Sequence, residues 1–184
     1  MHHTLKFYNL NRQGILRLYM FFAAFTRIPL LGRLVRKIAN AYGRSQHHAY
    51  LLNPAEAKEL VTLAGGLAAA PCTCRNLYHK CNHPMDNEIL LAASRHVLEE
   101  TKSNDAHEIT PERAAEILQD SQRRGLVLTI LKCRDDFYAI CSCCSCCCVP
   151  LRLSKQYGIG EVLVRHKNIV KEFREYVAAH DSNR

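Results

Sequence analysis

Residues 141–148 read Cys-Ser-Cys-Cys-Ser-Cys-Cys-Cys, six thiols in eight positions. An apolar core has no use for that density, and adjacent cysteines are badly placed to bridge one another. Gathered soft thiolates suit iron–sulfur clusters, zinc or copper(I). A second set, Cys72, Cys74 and Cys81, lies about sixty residues earlier. The tenth cysteine, Cys133, stands alone before the run and reads as a small buried strand residue. The candidate metal and cofactor ligands are therefore Cys72, Cys74, Cys81, Cys141, Cys143, Cys144, Cys146, Cys147 and Cys148. His83, two residues after Cys81, offers an extra ligand.

Local geometry divides the run between two directions. Extended backbone sends alternate side chains to opposite faces, so neighbouring cysteines can serve different sites. Helical backbone would group Cys141, Cys144 and Cys148 on one side and Cys143 and Cys147 on another. Cys-x-x-Cys steps occur at 141–144, 143–146 and 144–147, a spacing that lets one turn supply two thiolates. Ten cysteines exceed the eight thiolates that two four-iron clusters need. The front group has three, so it must borrow a fourth ligand or leave an iron open. Zinc is the alternative, because Cys72, Cys74, Cys81 and His83 would close a tetrahedron of three sulfurs and one nitrogen. Arg75 either hydrogen-bonds a cluster sulfide or is solvated.

The elements that must position these thiols are marked by their caps. Asn53, Pro54 and Glu56 start a helix that carries Leu60, Val61 and Ala64 and ends near Gly65 and Gly66. Pro71 opens a loop, and Asp86 is expected to cap a helix through Leu98. Residues 101–108 are polar and read as a linker. Thr110, Pro111 and Glu112 start another helix, with Gly125 at its stop. The period then changes: 126–132 and 137–141 read as strands about a turn at Arg134, Asp135 and Asp136. After Pro150 come a short helix, a strand at 162–165 and a last helix from Asn168 to Ala179. The fold class expected is α+β and mostly helical, with a small antiparallel hairpin leading into the cysteine-rich segment.

Charge is unevenly placed. Residues 1–55 hold eight basic residues and no acid, so the excess of +8 belongs to that segment and the remainder is neutral. The segment also holds the apolar run Leu18 to Phe25, far short of the about 20 residues that span a bilayer. Pro29 interrupts it, and Leu30 to Tyr42 resumes as a basic amphipathic helix with Leu31, Leu34, Val35 and Ile38 on one face. Arg27 follows the run at once and no small-x-small site appears, which argues against a cleaved signal peptide. Two basic amphipathic helices with aromatics fit either packing on the fold or an anionic membrane surface. Nucleic acid has little use for those aromatics. Two regions are expected: a basic amphipathic helical segment over 1–44 and a cysteine-rich cluster-binding domain over 45–184.

Taken in order, Pro71, Cys72, Cys74, Arg75, Cys81, Pro84, the 109–112 helix start, the Gly-Leu-Val at 125–127 and the final run resemble ferredoxin-like iron–sulfur proteins of anaerobic bacteria and archaea. The resemblance covers about 45–150 and implies [4Fe-4S] clusters in an electron-transfer or redox-accessory role. One position departs from that pattern. A fourth front cysteine is expected just after Asp86, where Asn87 and Glu88 stand.

A disulfide framework is disfavoured by the crowding of the run, and a thiol–disulfide enzyme by the absence of a single Cys-x-x-Cys at a helix start. No phosphate loop, nucleophile elbow or His-Glu-x-x-His is present, so no catalytic residue is assigned. The reading is a cytoplasmic iron–sulfur electron carrier with two [4Fe-4S] clusters, a redox partner protein and peripheral contact with a membrane's cytoplasmic face. The alternatives are a zinc-stabilised interaction module and a cluster-dependent redox enzyme subunit with an open iron.

Overall fold

Pro29 divides the N-terminal segment into two helices, as its missing N–H requires. The computed structural model describes residues 3–91 and 105–181. Helix α1 covers His3–Ala24, a 3-10 turn follows at Phe25–Arg27, and α2 covers Leu31–Gln46. Strand β1 is His47–Leu51. Helix α3, Pro54–Leu63, begins on the expected capping box: Asn53 accepts from the Glu56 N–H while the Glu56 carboxylate accepts from the Asn53 N–H. Then come β2 (Leu67–Pro71), α4 (Thr73–Tyr78) and β3 (Asp86–Leu91). Strand β4 is His107–Ile109, and α5 is Pro111–Arg123, capped by the Thr110 hydroxyl. Gly125 follows it at φ 68°, a left-handed position that suits glycine. The chain closes with β5 (Val127–Cys133), β6 (Asp136–Cys143), α6 (Val149–Tyr157), β7 (Leu163–Arg165) and α7 (Ile169–Asp181).

The described residues thus form an α+β fold, but its sheet is much larger than expected. Seven strands lie in the order β4-β2-β3-β6-β5-β1-β7. All neighbours are antiparallel except β1 and β7. The helix expected from Asp86 is corrected to strand β3, which is held between β2 and β6. A short apolar run such as Ile89 to Leu91 has no period of its own, and its pairing partners decide. The rest of that expected helix, 92–98, lies outside the described residues. The expected linker over 101–108 ends inside strand β4, whose first two residues it includes; its first four positions also lie outside the described residues. Strand β6 runs to Cys143, two residues beyond the expected end.

The two faces of this sheet differ in chemistry because side chains alternate along each strand. One face carries Leu67, Ile89, Ile140, Leu128, Ile130 and Tyr50, and buries them under α3, α5 and α7. Phe137 and Phe173 meet edge-on there at 5.5 Å. This is an ordinary apolar core. The other face carries Ala70, Glu88, Leu90, Ala139, Cys141, Cys143, Leu131, Cys133 and Ala49. It lies beneath α1, where Tyr8 is buried against it. Small and thiol side chains dominate this second face, and the thiol chemistry sits on that side.

Candidate metal centre

Four cysteines from two loops converge. Helix α4 ends with His79 in the left-handed region, its N–H bonded to the Arg75 carbonyl, and the reversal delivers Cys81. After β6 the chain turns through 145–147, closed by the Cys148 N–H on the Cys144 carbonyl. That turn presents Cys144, Cys146 and Cys147 to Cys81. The four sulfurs lie within 4.8 Å of one another. Cys81 Sγ is 3.7 Å from both Cys144 Sγ and Cys147 Sγ. The Lys80 N–H donates to Cys147 Sγ at 3.4 Å. Sulfurs about 2.3 Å from one tetrahedral ion stand about 3.8 Å apart, so this tetrad suits a single thiophilic ion without rearrangement. A four-iron cube binds one thiolate per iron and needs its sulfurs roughly 6 Å apart.

Arg75 explains much of the electrostatics. It is 1% exposed, donates to the carbonyls of Pro84 and Ser142, and keeps its charge through Cys144, Cys72 and Cys81 against the cost of burial. Burial alone would raise the Cys144 thiol, but hydrogen bonds from Arg75, Cys146, the Cys147 N–H and Cys81 bring it to about 6. A thiolate at neutral pH is the form a metal takes. Cys146 moves the other way: burial first, then the Cys144 thiolate, pushes it to about 12.

A second thiol group lies on the inner side, where β6 alternation turns Cys141 and Cys143 away from the tetrad. Cys148, the N-cap of α6, hydrogen-bonds both Cys143 and Cys74. Cys74 is lowered by Cys148 and, against burial, by the Val149 N–H and Arg12. The Thr129 hydroxyl stands 3.5 Å from Cys143 Sγ. Cys72 is pushed up to about 12 by burial, Glu88 and Cys74. Cys141 is raised by burial and then by Glu88 and Cys143. Glu88, at the place where a fourth front cysteine was expected, is 1% exposed and pairs with Arg12 of α1.

The front cysteines therefore do not act as a set. Cys81 joins the tetrad, while Cys72 and Cys74 belong to the inner group. His83 is half-buried and is not one of the four close ligands, so the Cys72, Cys74, Cys81 and His83 tetrahedron is not assembled. Cys133 is buried on β5 near Asp136 and stands apart from both groups. The sequence reading missed the Arg12–Glu88 pair, whose signal was a lone carboxylate in an apolar run. Compared with known proteins, the chain matches no family model, no curated protein and no solved structure.

Proposed function

We propose that this is an iron-binding electron-transfer or redox-accessory protein of the ferredoxin-like kind, with the Cys81, Cys144, Cys146 and Cys147 tetrad as its principal centre. The convergence of these four thiols carries the reading. The inner group of Cys72, Cys74, Cys143 and Cys148 is the seat of a second centre, with Cys141 beside it. When bound, iron in thiolate ligation supplies one-electron chemistry. The chain's own residues do the rest: Arg75 and the Lys80 N–H stabilise thiolate charge, and the half-buried Cys81 and Cys146 bring the tetrad to the surface for a redox partner protein. A [4Fe-4S] cluster in the tetrad requires its sulfurs to spread; a single iron does not.

The 3.7 Å sulfur separations favour a second reading, a zinc-stabilised interaction module. Against it, the opposite sheet face already has its own apolar core, so the fold does not depend on an ion as small zinc domains do. Anaerobic purification with metal analysis and a visible spectrum separates the two. Coloured protein that holds iron in thiolate ligation, with its visible absorption weakened in Cys147→Ser, is the expected result. Colourless protein with stoichiometric zinc overturns it.

The α1–α2 hairpin supports peripheral contact with the cytoplasmic face of an anionic membrane. Phe21 and Phe22 are 60% and 53% exposed, and with Phe25 they form one aromatic cluster. Leu30 at the corner is 86% exposed and held at φ 66°, a strained conformation for leucine. No described helix is long and apolar enough to cross a membrane. Sedimentation with anionic vesicles, weakened by salt and by Phe21→Ser/Phe22→Ser, is expected. Equal binding to neutral vesicles would remove the charge argument.

A further inference from the structure

Helices α1, α2 and α6 do not close over the thiol face of the sheet. Between them lies a cavity of about 630 Å³. Protein interiors pack with few voids larger than a water molecule, and spaces of this size are ligand sites. Its lining includes Arg12, Glu88, six cysteines (Cys72, Cys74, Cys141, Cys143, Cys144 and Cys148) and apolar residues such as Leu16, Ala39 and Leu153. It reaches the surface beside Leu18, Phe22, Ile38 and Tyr42, which line it and are exposed. Exposed apolar residues of the N-terminal hairpin and buried thiols thus line one cavity.

Polar atoms in the cavity are few. Arg12 Nε and His47 Nδ1 are buried without a hydrogen-bond partner among the described residues; His48 Nδ1 is a third such atom. Tyr8 lies between the first two: its ring is 4.6 Å from that of His47, and Arg12 acts on its hydroxyl. The rings of Tyr42 and Tyr19 stand 5.9 and 6.5 Å from His47. Burial first, then His48 and Arg134, lowers the His47 pKa to about 4, so its imidazole is neutral at pH 7. Glu88 balances the Arg12 charge. A carboxylate or phosphate head would meet that carboxylate, and Arg12, the one Arg or Lys among the described lining residues, is already paired. A neutral, flat head with two acceptors meets a donor at Arg12, a neutral imidazole, and aromatic walls for its ring.

We propose that the cavity binds a lipid-soluble quinone, its ring against Tyr8, one carbonyl on Arg12 Nε, the other on His47 Nδ1, and its tail leaving past Phe22 and Ile38. This extends the redox reading, on which its biological use rests, while the binding itself needs no metal.

Equilibrium dialysis of a decyl-tailed benzoquinone against the full chain in non-ionic detergent tests it, with decanol and decanoate as tail-only and anionic-head probes. Saturable binding at one quinone per chain is expected, with both other probes weaker by about tenfold or more. Ala39→Phe, which fills the cavity, should abolish binding with circular dichroism and metal content unchanged. His47→Phe should weaken the quinone by about tenfold and leave decanol unchanged. Absence of saturable binding, decanoate binding as tightly as the quinone, or binding indifferent to a folded Ala39→Phe protein would overturn the proposal. Quinone binding by colourless zinc protein sustains this site and removes the redox reading; iron-loaded protein that ignores the quinone does the reverse.

Discussion

Removing Arg12 should expose what its pair with Glu88 does. In Arg12→Leu the Glu88 carboxylate, whose side chain is 2% exposed against 11% for Arg12, is left uncompensated inside the sheet face. Breaking a buried pair on one side costs about 3–5 kcal/mol. That loss is a large part of the about 5–15 kcal/mol that stabilises a domain. Glu88→Gln should cost less, because the long Arg12 side chain can move its charge toward water. The double variant Arg12→Leu/Glu88→Gln should recover most of the loss, since neither charge remains. Urea unfolding followed by circular dichroism, on anaerobic metal-loaded protein, measures all three. A cost below about 1 kcal/mol for Arg12→Leu, or a double variant as unstable as the single, refutes the reasoning.

Three further outcomes are expected. Gly32 sits where an added Cβ would meet the Thr26 carbonyl oxygen at 2.2 Å, so Gly32→Ala should force the α1–α2 corner apart, cost about 1–3 kcal/mol in urea unfolding, and change vesicle binding. His47 has a folded pKa depressed by burial and then by the nearby His48 and Arg134, with Tyr8, Tyr19 and Tyr42 against its ring. Its contribution is present above the unfolded value of 6.5 and is lost as pH falls toward about 4, so His47→Phe should flatten the stability profile across that window; an unchanged profile would contradict it. Metal-free, reduced protein should be alkylated in the tetrad at pH 7, where Cys144 is already ionised, while Cys133, raised to about 11 by burial and then Asp136, resists until unfolding; peptide mass analysis reads this directly.

Much of the outline was legible from the chain alone. Caps announce themselves locally, so Asn53 with Glu56 and Thr110 with Pro111 mark helix starts in the sequence and in the fold alike. The break at Pro29 and the uncovered apolar residues on both sides of it are equally local, since no other chain segment is needed to create an amphipathic pattern. The division of the cysteine run between two directions also follows from backbone period. Which thiols meet is a different question. Cys81 lies 63 positions before Cys144, and only the fold sets it beside the final turn and parts it from Cys72 and Cys74. Strand β3 shows the same limit: Asp86 to Leu91 has no decisive period, and its conformation is fixed by β2 and β6 on its flanks. Glu88 could be seen as a carboxylate where a thiol was expected, but its partner Arg12 stands 76 positions away on a helix whose packing no local rule supplies. Residue types determined the chemistry available to this protein; long-range pairing decided which atoms share it, because side-chain proximity across a sheet depends on register, and register on the whole fold.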